Sequence, residues 1–365
     1  MINIHFFPSK RVALYMARLF LVRSLAVLGG LVLVLMTLDL LGESGKILAQ
    51  EGNGDSELWR YVGLRVPMLI ARFLPFAVLL GTLITLATLN QNSEVIALKA
   101  SGISAHQIIA PLIVASFGVA AISFVFNERV VTRATAALSA WEAVNYGQVP
   151  PETGVSSDVW ITHGSDIVHA RQVSGRRETT RLTGVTIYRR PGGTLSQRID
   201  AESGRRVAGG WELANASTFD LDTGRTTRAP SWTWAADVEP DQFTLARVDP
   251  DEQDFRRLQQ SIADLKVAGR DTAALEANLW HKISGPMSAV LMPLLAAIAA
   301  FGLARSGQLF LRAIMGMGLG FAYFVADNFA IAMGNYGAYP PLLAAWGPFA
   351  LFFLIGETVL IRTEE

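Results

Sequence analysis

Six stretches of the chain are apolar enough and long enough to cross a bilayer, whose core takes roughly 20 helical residues. Residues 19–41 meet this length, interrupted by Arg23 near the start and Asp39 near the end. Residues 66–89 form the second stretch, with Arg72 about one and a half turns in. Residues 108–126 form the third, and Pro111 falls in its first turn, where proline is tolerated. Residues 284–303, 313–333 and 342–361 complete the set. The first stretch exceeds the roughly 7–15 apolar residues of a signal-peptide core and is read as a retained helix. The pattern predicts three spans, an insert, and three more spans.

The insert changes period. Val159-Trp160-Ile161 and Ile167-Val168 are short apolar runs split by Gly164-Ser165, which reads as a break between strands. Residues around Val185 and Ile187, Trp211 to Leu213, and Trp232 to Trp234 alternate at period two. Gly192-Gly193 and Gly209-Gly210 are turn signals. Such short strands predict a sandwich or jelly roll, with Val185, Ile187, Trp211, Leu213 and Trp232 as residues that line its core or an apolar groove. From Asp254 onward the apolar period becomes helical, through Leu258, Ile262, Leu265, Leu275 and Leu279. The domain reading is residues 1–126 for the first three spans, 127–282 for the β domain with flanking helices, and 283–365 for the last three spans.

Charge agrees with this division. Of 365 residues, 31 are basic and 31 acidic, and 40 of these lie between Glu128 and Lys282. Zero net charge leaves no footprint for nucleic acid. Absent cysteine excludes disulfides, thiolate metal sites and a cysteine nucleophile. Positive residues set orientation when counted over short loops. Lys10, Arg11, Arg18 and Arg23 precede or open the first span, and Arg305 and Arg312 lie between spans four and five. Residues 334–341 carry no charge, and the loop 42–65 balances Lys46, Arg60 and Arg65 with Glu43, Glu51, Asp55 and Glu57. Both termini are therefore expected in the cytoplasm and the insert outside it.

Known catalytic fingerprints are missing: no Walker A, GxSxG, HExxH or dinucleotide motif occurs. His163 and His169 would share a face only on an unbroken strand, and ordinary surface histidines are the alternative to a metal pair. Arg176, Arg177, Arg181, Arg189, Arg190, Arg205 and Arg206 either meet an anionic ligand or stand on solvated strand faces.

Two features carry more chemistry. Between spans two and three, Ser93 is a candidate N-cap and Glu94 suits a helix start; Lys99 falls in the last turn and Gly102 ends the helix. Val95, Leu98 and Lys99 fall near one face. Such a short cytoplasmic helix is either a docking element for a partner or an interfacial helix resting on lipid. The second feature is Asp327 inside span five, where an ionisable residue is functional by default. Gly316 and Gly320 form a small-residue pair, and with Asp327 they lie within about 40° on the helix. Asp327 is therefore expected against a closely packed helix or in a polar cavity, in a structural hydrogen bond or a transport role.

Val66-Pro67, the run from Phe73-Leu74-Pro75-Phe76 to Gly81, and the run from Asn92-Ser93-Glu94 to Ala100-Ser101-Gly102 resemble the VP…FFP…LLG…SEL…MASG stretch of the LptF/LptG permeases of lipopolysaccharide export. Glu128 is similar to the acidic residue that ends span three in that family. Trp280-His281-Lys282 to Pro286 resembles its entry to span four, nearer the LptG branch. The resemblance implies a non-enzymatic, multi-pass inner-membrane permease without cofactor. Such a permease pairs with a related LptF-like permease, two cytoplasmic ABC ATPase subunits, a periplasmic bridge protein and a single-span accessory protein. It also implies that the Ser93–Gly102 segment is a coupling helix and that the β-jellyroll hands lipopolysaccharide onward. Spans one and five would form a lateral gate, with Asp39, Arg72, Gly316, Gly320 and Asp327 as cavity or gate candidates. The family usually carries several basic residues after span one, near the lipid phosphates; here Lys46 is the basic residue just after that span, and the candidate contact. A membrane-anchored sensor or scaffold would instead need a cytoplasmic output domain. A secondary transporter coupled through Asp327 would show inverted repeats.

Overall fold

The structure is a computed structural model. It describes residues 9–149, 156–175, 179–207, 210–234, 248–267, 270–301 and 309–362, with Val238, Pro240 and Phe243. Gly209, Arg176, Arg177 and Arg305 lie outside the described residues, as does the side chain of Arg312. Two compact units result: residues 1–148, 250–258 and 273–365 form one, and 149–249 with 259–272 the other.

The first unit is helical. Helix α1 covers Lys10–Ala49 and α2 Asp55–Gln91. A short α3, Glu94–Ala100, leads to α4, Ala105–Phe126. A π-helical turn, Asn127–Val131, joins α4 to α5, Thr132–Ala143. Helix α6 (Phe255–Val267) begins in this unit, and α7 (Ala273–Phe301), α8 (Leu309–Asn335) and α9 (Pro341–Arg362) complete it. Among the described residues, six helical stretches are long and apolar enough to cross a membrane. The 40 residues of α1 and 37 of α2 outrun the apolar stretches read from sequence, because capped polar turns extend them. Ser9 Oγ accepts a hydrogen bond from Val12 N at 3.2 Å, and Glu57 Oε2 accepts one from Gly54 N at 2.8 Å.

Helix packing is close where glycine permits it. A Cβ on Gly81 would lie 2.6 Å from the Cα of Ser24, so α1 and α2 nearly touch there. A Cβ on Gly320 would run into Leu79 Cδ2, which seats α8 against α2. Around these contacts Phe20, Val78, Leu79, Ile108, Leu112 and Leu295 are buried in one core.

The second unit holds six antiparallel strands in consecutive order: β1 Ser156–His163, β2 Asp166–Ser174, β3 Arg181–Arg189, β4 Gln197–Val207, β5 Gly210–Asp220 and β6 Thr226–Trp234. The two-sheet sandwich or jelly roll expected from strand spacing is, among the described residues, one sheet curled on itself. The rings of His163 on β1 and Trp234 on β6 are 5.9 Å apart, although a flat sheet would hold these strands about 24 Å apart. A line of unpaired positions accompanies the curl. The ladder leaves out Asp158, Arg171, Gly184, Glu202, Asn215 and Pro230, a line across all six strands. Gly184 and Asn215 have left-handed φ values of 65° and 54°, and Pro230 has no N–H to donate.

Candidate functional site: an amphipathic cavity and the short α3 segment in the helical unit

A cavity of about 440 Å³ lies in the helical unit, lined by α2, the end of α4 with the π-turn and α5, α7 and α8. Its lining is graded. Polar positions lie toward one end of the lining: Arg65 and, at mid-helix, Arg72 on α2, Asn278, His281 and Lys282 in the first half of α7, Asp327 and Asn328 in the last part of α8. Further along the same helices come Leu74, Pro75 and Phe76, then Ala289 and Met292, then Phe324 and Gly320. Phe76 and Phe324 meet edge to face at 5.1 Å. A cavity polar at one end and apolar at the other is shaped for an amphiphile.

The polar end is built from paired groups. His281 Nε2 and Asp327 Oδ2 are 3.0 Å apart, joining α7 to α8, and Asn278 Nδ2 donates to Asn335 Oδ1 at 2.9 Å. Glu128 Oε2, in the π-turn, accepts from the Phe255 backbone N–H at 2.5 Å, while Glu128 Oε1 lies 3.9 Å from Lys282 Nζ. Glu128 thereby ties the first turn of α6 to the top of α7. Sequence reading quoted His281, Lys282 and Glu128 only within motifs and passed over Asn278. The spacing of Asn278, His281, Lys282 and Gly285 is a polar helical stripe that marks one face.

The remaining candidates divide as follows. Asp39 is held between helices: Arg65 Nε donates to its Oδ2 at 2.9 Å, Arg65 NH2 to its Oδ1 at 3.1 Å, and the Tyr61 hydroxyl to its Oδ2 at 2.7 Å. Lys46 Nζ donates to Glu43 Oε1 at 2.8 Å, and Glu43 Oε2 accepts from the Tyr146 hydroxyl at 2.9 Å. Burial, then this bond to Glu43, pushes the Tyr146 phenol above the ordinary tyrosine range. Gly316 packs against Leu83 and Ala299. Arg72 lines the cavity.

In the segment between α2 and α4, Ser93 stands at the N-cap position of α3, but its backbone is left-handed at φ 60° and its side chain makes no capping bond. Its N–H still binds Asn90 O, so the residue closes α2 as it opens α3. Glu94 Oε1 accepts from the Tyr15 hydroxyl of α1 at 3.4 Å and from Asn92 Nδ2 at 3.3 Å. Val95 is buried and Leu98 packs on the core, so these two anchor α3 rather than face outward; Ile96, Ala97, Lys99 and Ala100 are the exposed positions. Gly102 ends the turn at φ 84°.

In the β unit, Val185, Ile187, Trp211 and Leu213 sit on the buried concave side, and Trp232 packs partly buried against them. Trp211 Nε1 donates to Val238 O at 2.8 Å. His163 and His169 lie on different strands, each beside a tryptophan ring, and no group of three or more metal-ligating side chains gathers among the described residues.

Residues 14–362 match the model of the lipopolysaccharide export system permease family LptF/LptG. The chain belongs to the LptF/LptG family. Similar relatives carry the name lipopolysaccharide export system permease protein LptG. The Escherichia coli K12 protein is 27% identical over 314 residues, covering 83% of this chain and 84% of that one. The Haemophilus influenzae protein is 26% identical over 358 residues, covering 93% and 97%. An LptF/LptG permease is a transport subunit, which agrees with a membrane-helix unit holding an amphipathic cavity.

Proposed function

We propose that this chain is the LptG-type permease subunit of a lipopolysaccharide exporter in the bacterial inner membrane. It takes lipopolysaccharide into the graded cavity of its helical unit and passes it to its β domain, and from there to a periplasmic bridge. The cavity's grading, polar at one end on three helices and apolar at the other, is the observation that carries this reading. A lipid with a polar head and acyl chains gains about 0.8 kcal/mol for each CH₂ it buries, so apolar walls next to paired polar groups favour such a cargo. The energy enters through the Ser93–Gly102 segment, which is joined rigidly to α2 and α4 and would seat on a separate cytoplasmic ATPase. A second, related permease completes the path. The β domain lies in the periplasm, and acyl chains pass along the concave side lined by Val185, Ile187, Trp211 and Leu213. Lys46 can meet a lipid phosphate by exchanging its Glu43 partner.

The test is reconstitution of the full chain with its co-purified partners in proteoliposomes loaded with lipopolysaccharide. ATP-dependent release of lipopolysaccharide to added bridge protein is expected. Hydrolysis without release, or release without ATP, would contradict the reading.

A further inference from the structure

Arg72 lies seven residues beyond Arg65 on α2, about 10 Å further along the helix. Arginine presents a planar cation with five N–H donors in a fixed fork. Charges inside spans face a cavity and pair with something, because an isolated one is costly. Arg72 faces the cavity, yet it has no hydrogen-bond or ion-pair partner among the described residues.

The surrounding charges are already committed. Arg65 holds Asp39 through two nitrogens, and Lys46 holds Glu43. Lys282 neighbours Glu128, and His281 engages Asp327. Asp251, the other carboxylate in the lining, has a partner of its own. The cavity therefore offers Arg72 no carboxylate to spare. Within one turn of it stand Leu74, Pro75 and Phe76. The result is a forked cation at the head of an apolar slot, the complement of a phosphorylated amphiphile.

Resting on the permease reading above, we propose that Arg72 binds a phosphate of the lipid headgroup whose acyl chains occupy the apolar end of this cavity, and that in the working transporter this lipid is lipopolysaccharide. Lys46 would share its charge with Glu43 in such a contact, whereas Arg72 has no partner among the described residues to share with.

The experiment measures lipid retention by the purified complex carrying the wild-type chain, Arg72→Gln or Arg72→Lys. The probes are bisphosphorylated lipid A, the same lipid A with its phosphates removed, and phosphatidylglycerol. Arg72→Gln should weaken bisphosphorylated lipid A about tenfold, the factor that one charge-assisted hydrogen bond supports. Arg72→Lys should recover part of this, and the phosphate-free lipid should bind all three complexes alike. Equal loss of the phosphate-free lipid would mean a distorted cavity and overturn the proposal. Wild-type phosphatidylglycerol binding as tight as lipid A, lost in the same way, would make the ligand a bilayer phospholipid and overturn the lipopolysaccharide assignment. Dissociation of Arg72→Gln from the second permease would assign Arg72 to a protein carboxylate instead. Wild-type binding that Arg72→Gln leaves unchanged removes Arg72 alone, whereas a wild-type complex that holds no lipid A removes the permease reading with it.

Discussion

Asp327 Oδ2 lies 3.0 Å from His281 Nε2, so the carboxylate of α8 is bonded to α7 across 46 residues of chain. The pair sits at the polar end of the cavity, with Asp327 the better buried partner. It ties α8 to α7 at the cavity wall.

Removing one partner strands the other. Asp327→Ala is expected to destabilise the chain by about 1–3 kcal/mol, most of it from the unpaired imidazole. His281→Ala should cost a similar amount, and the double variant less than the sum. Thermal melting of the detergent-solubilised chain measures this cycle. Additive losses would show that the two side chains act independently.

Much of this was legible in the sequence, for physical reasons that differ by element. Six apolar runs had to become helices, since backbone groups in lipid need internal partners. Gly316, Gly320 and Asp327 could be grouped on one face from helical period alone. His281 could not be named as the partner of Asp327, because nothing local relates residues 46 apart. Gly164-Ser165 marked a turn, and β1 and β2 do meet there, but the line of unpaired positions from Asp158 to Pro230 that accompanies the curl needs strand register to see. Ser93 has the residue type of a cap, yet closing α2 at Asn90 O takes its backbone left-handed and leaves the hydroxyl unused.

Two glycines should respond differently to a methyl group. Gly81→Ala would press on the Ser24 backbone, which cannot move without shifting α1. Gly320→Ala would press on the end of the Leu79 side chain, which can change rotamer. Both overpack the core and should cost about 1–3 kcal/mol, with Gly81→Ala at the upper end. Denaturation midpoints of the two variants check the order.

Glu94 is expected to matter more than the residues that hold it. Its bond from Tyr15 is long at 3.4 Å and exposed, so Tyr15→Phe should leave ATP-driven export near wild type. Glu94→Ala should leave the chain inserted but weaken recovery of the ATPase in pull-downs or separate hydrolysis from export. Truncating one side of a partly buried charge pair costs about 2–5 kcal/mol, enough to be visible in assembly. Wild-type assembly and export in Glu94→Ala would sink the coupling assignment.

The orientation of the β domain has a clean assay because the chain has no cysteine. Asp222→Cys places a thiol in the exposed turn between β5 and β6. A membrane-impermeant maleimide should label it in intact spheroplasts. Labelling only after lysis would reverse the topology.

The central claim, that the graded cavity carries lipopolysaccharide, is tested most directly by photo-cross-linking in the working complex. A photoreactive residue replaces Phe324 on the cavity wall, with Ile122 on the exposed face of α4 as the control. The predicted result is capture of lipopolysaccharide from position 324 that falls when ATP drives export, with no such change from position 122. Equal capture from both positions, indifferent to ATP, would contradict the account.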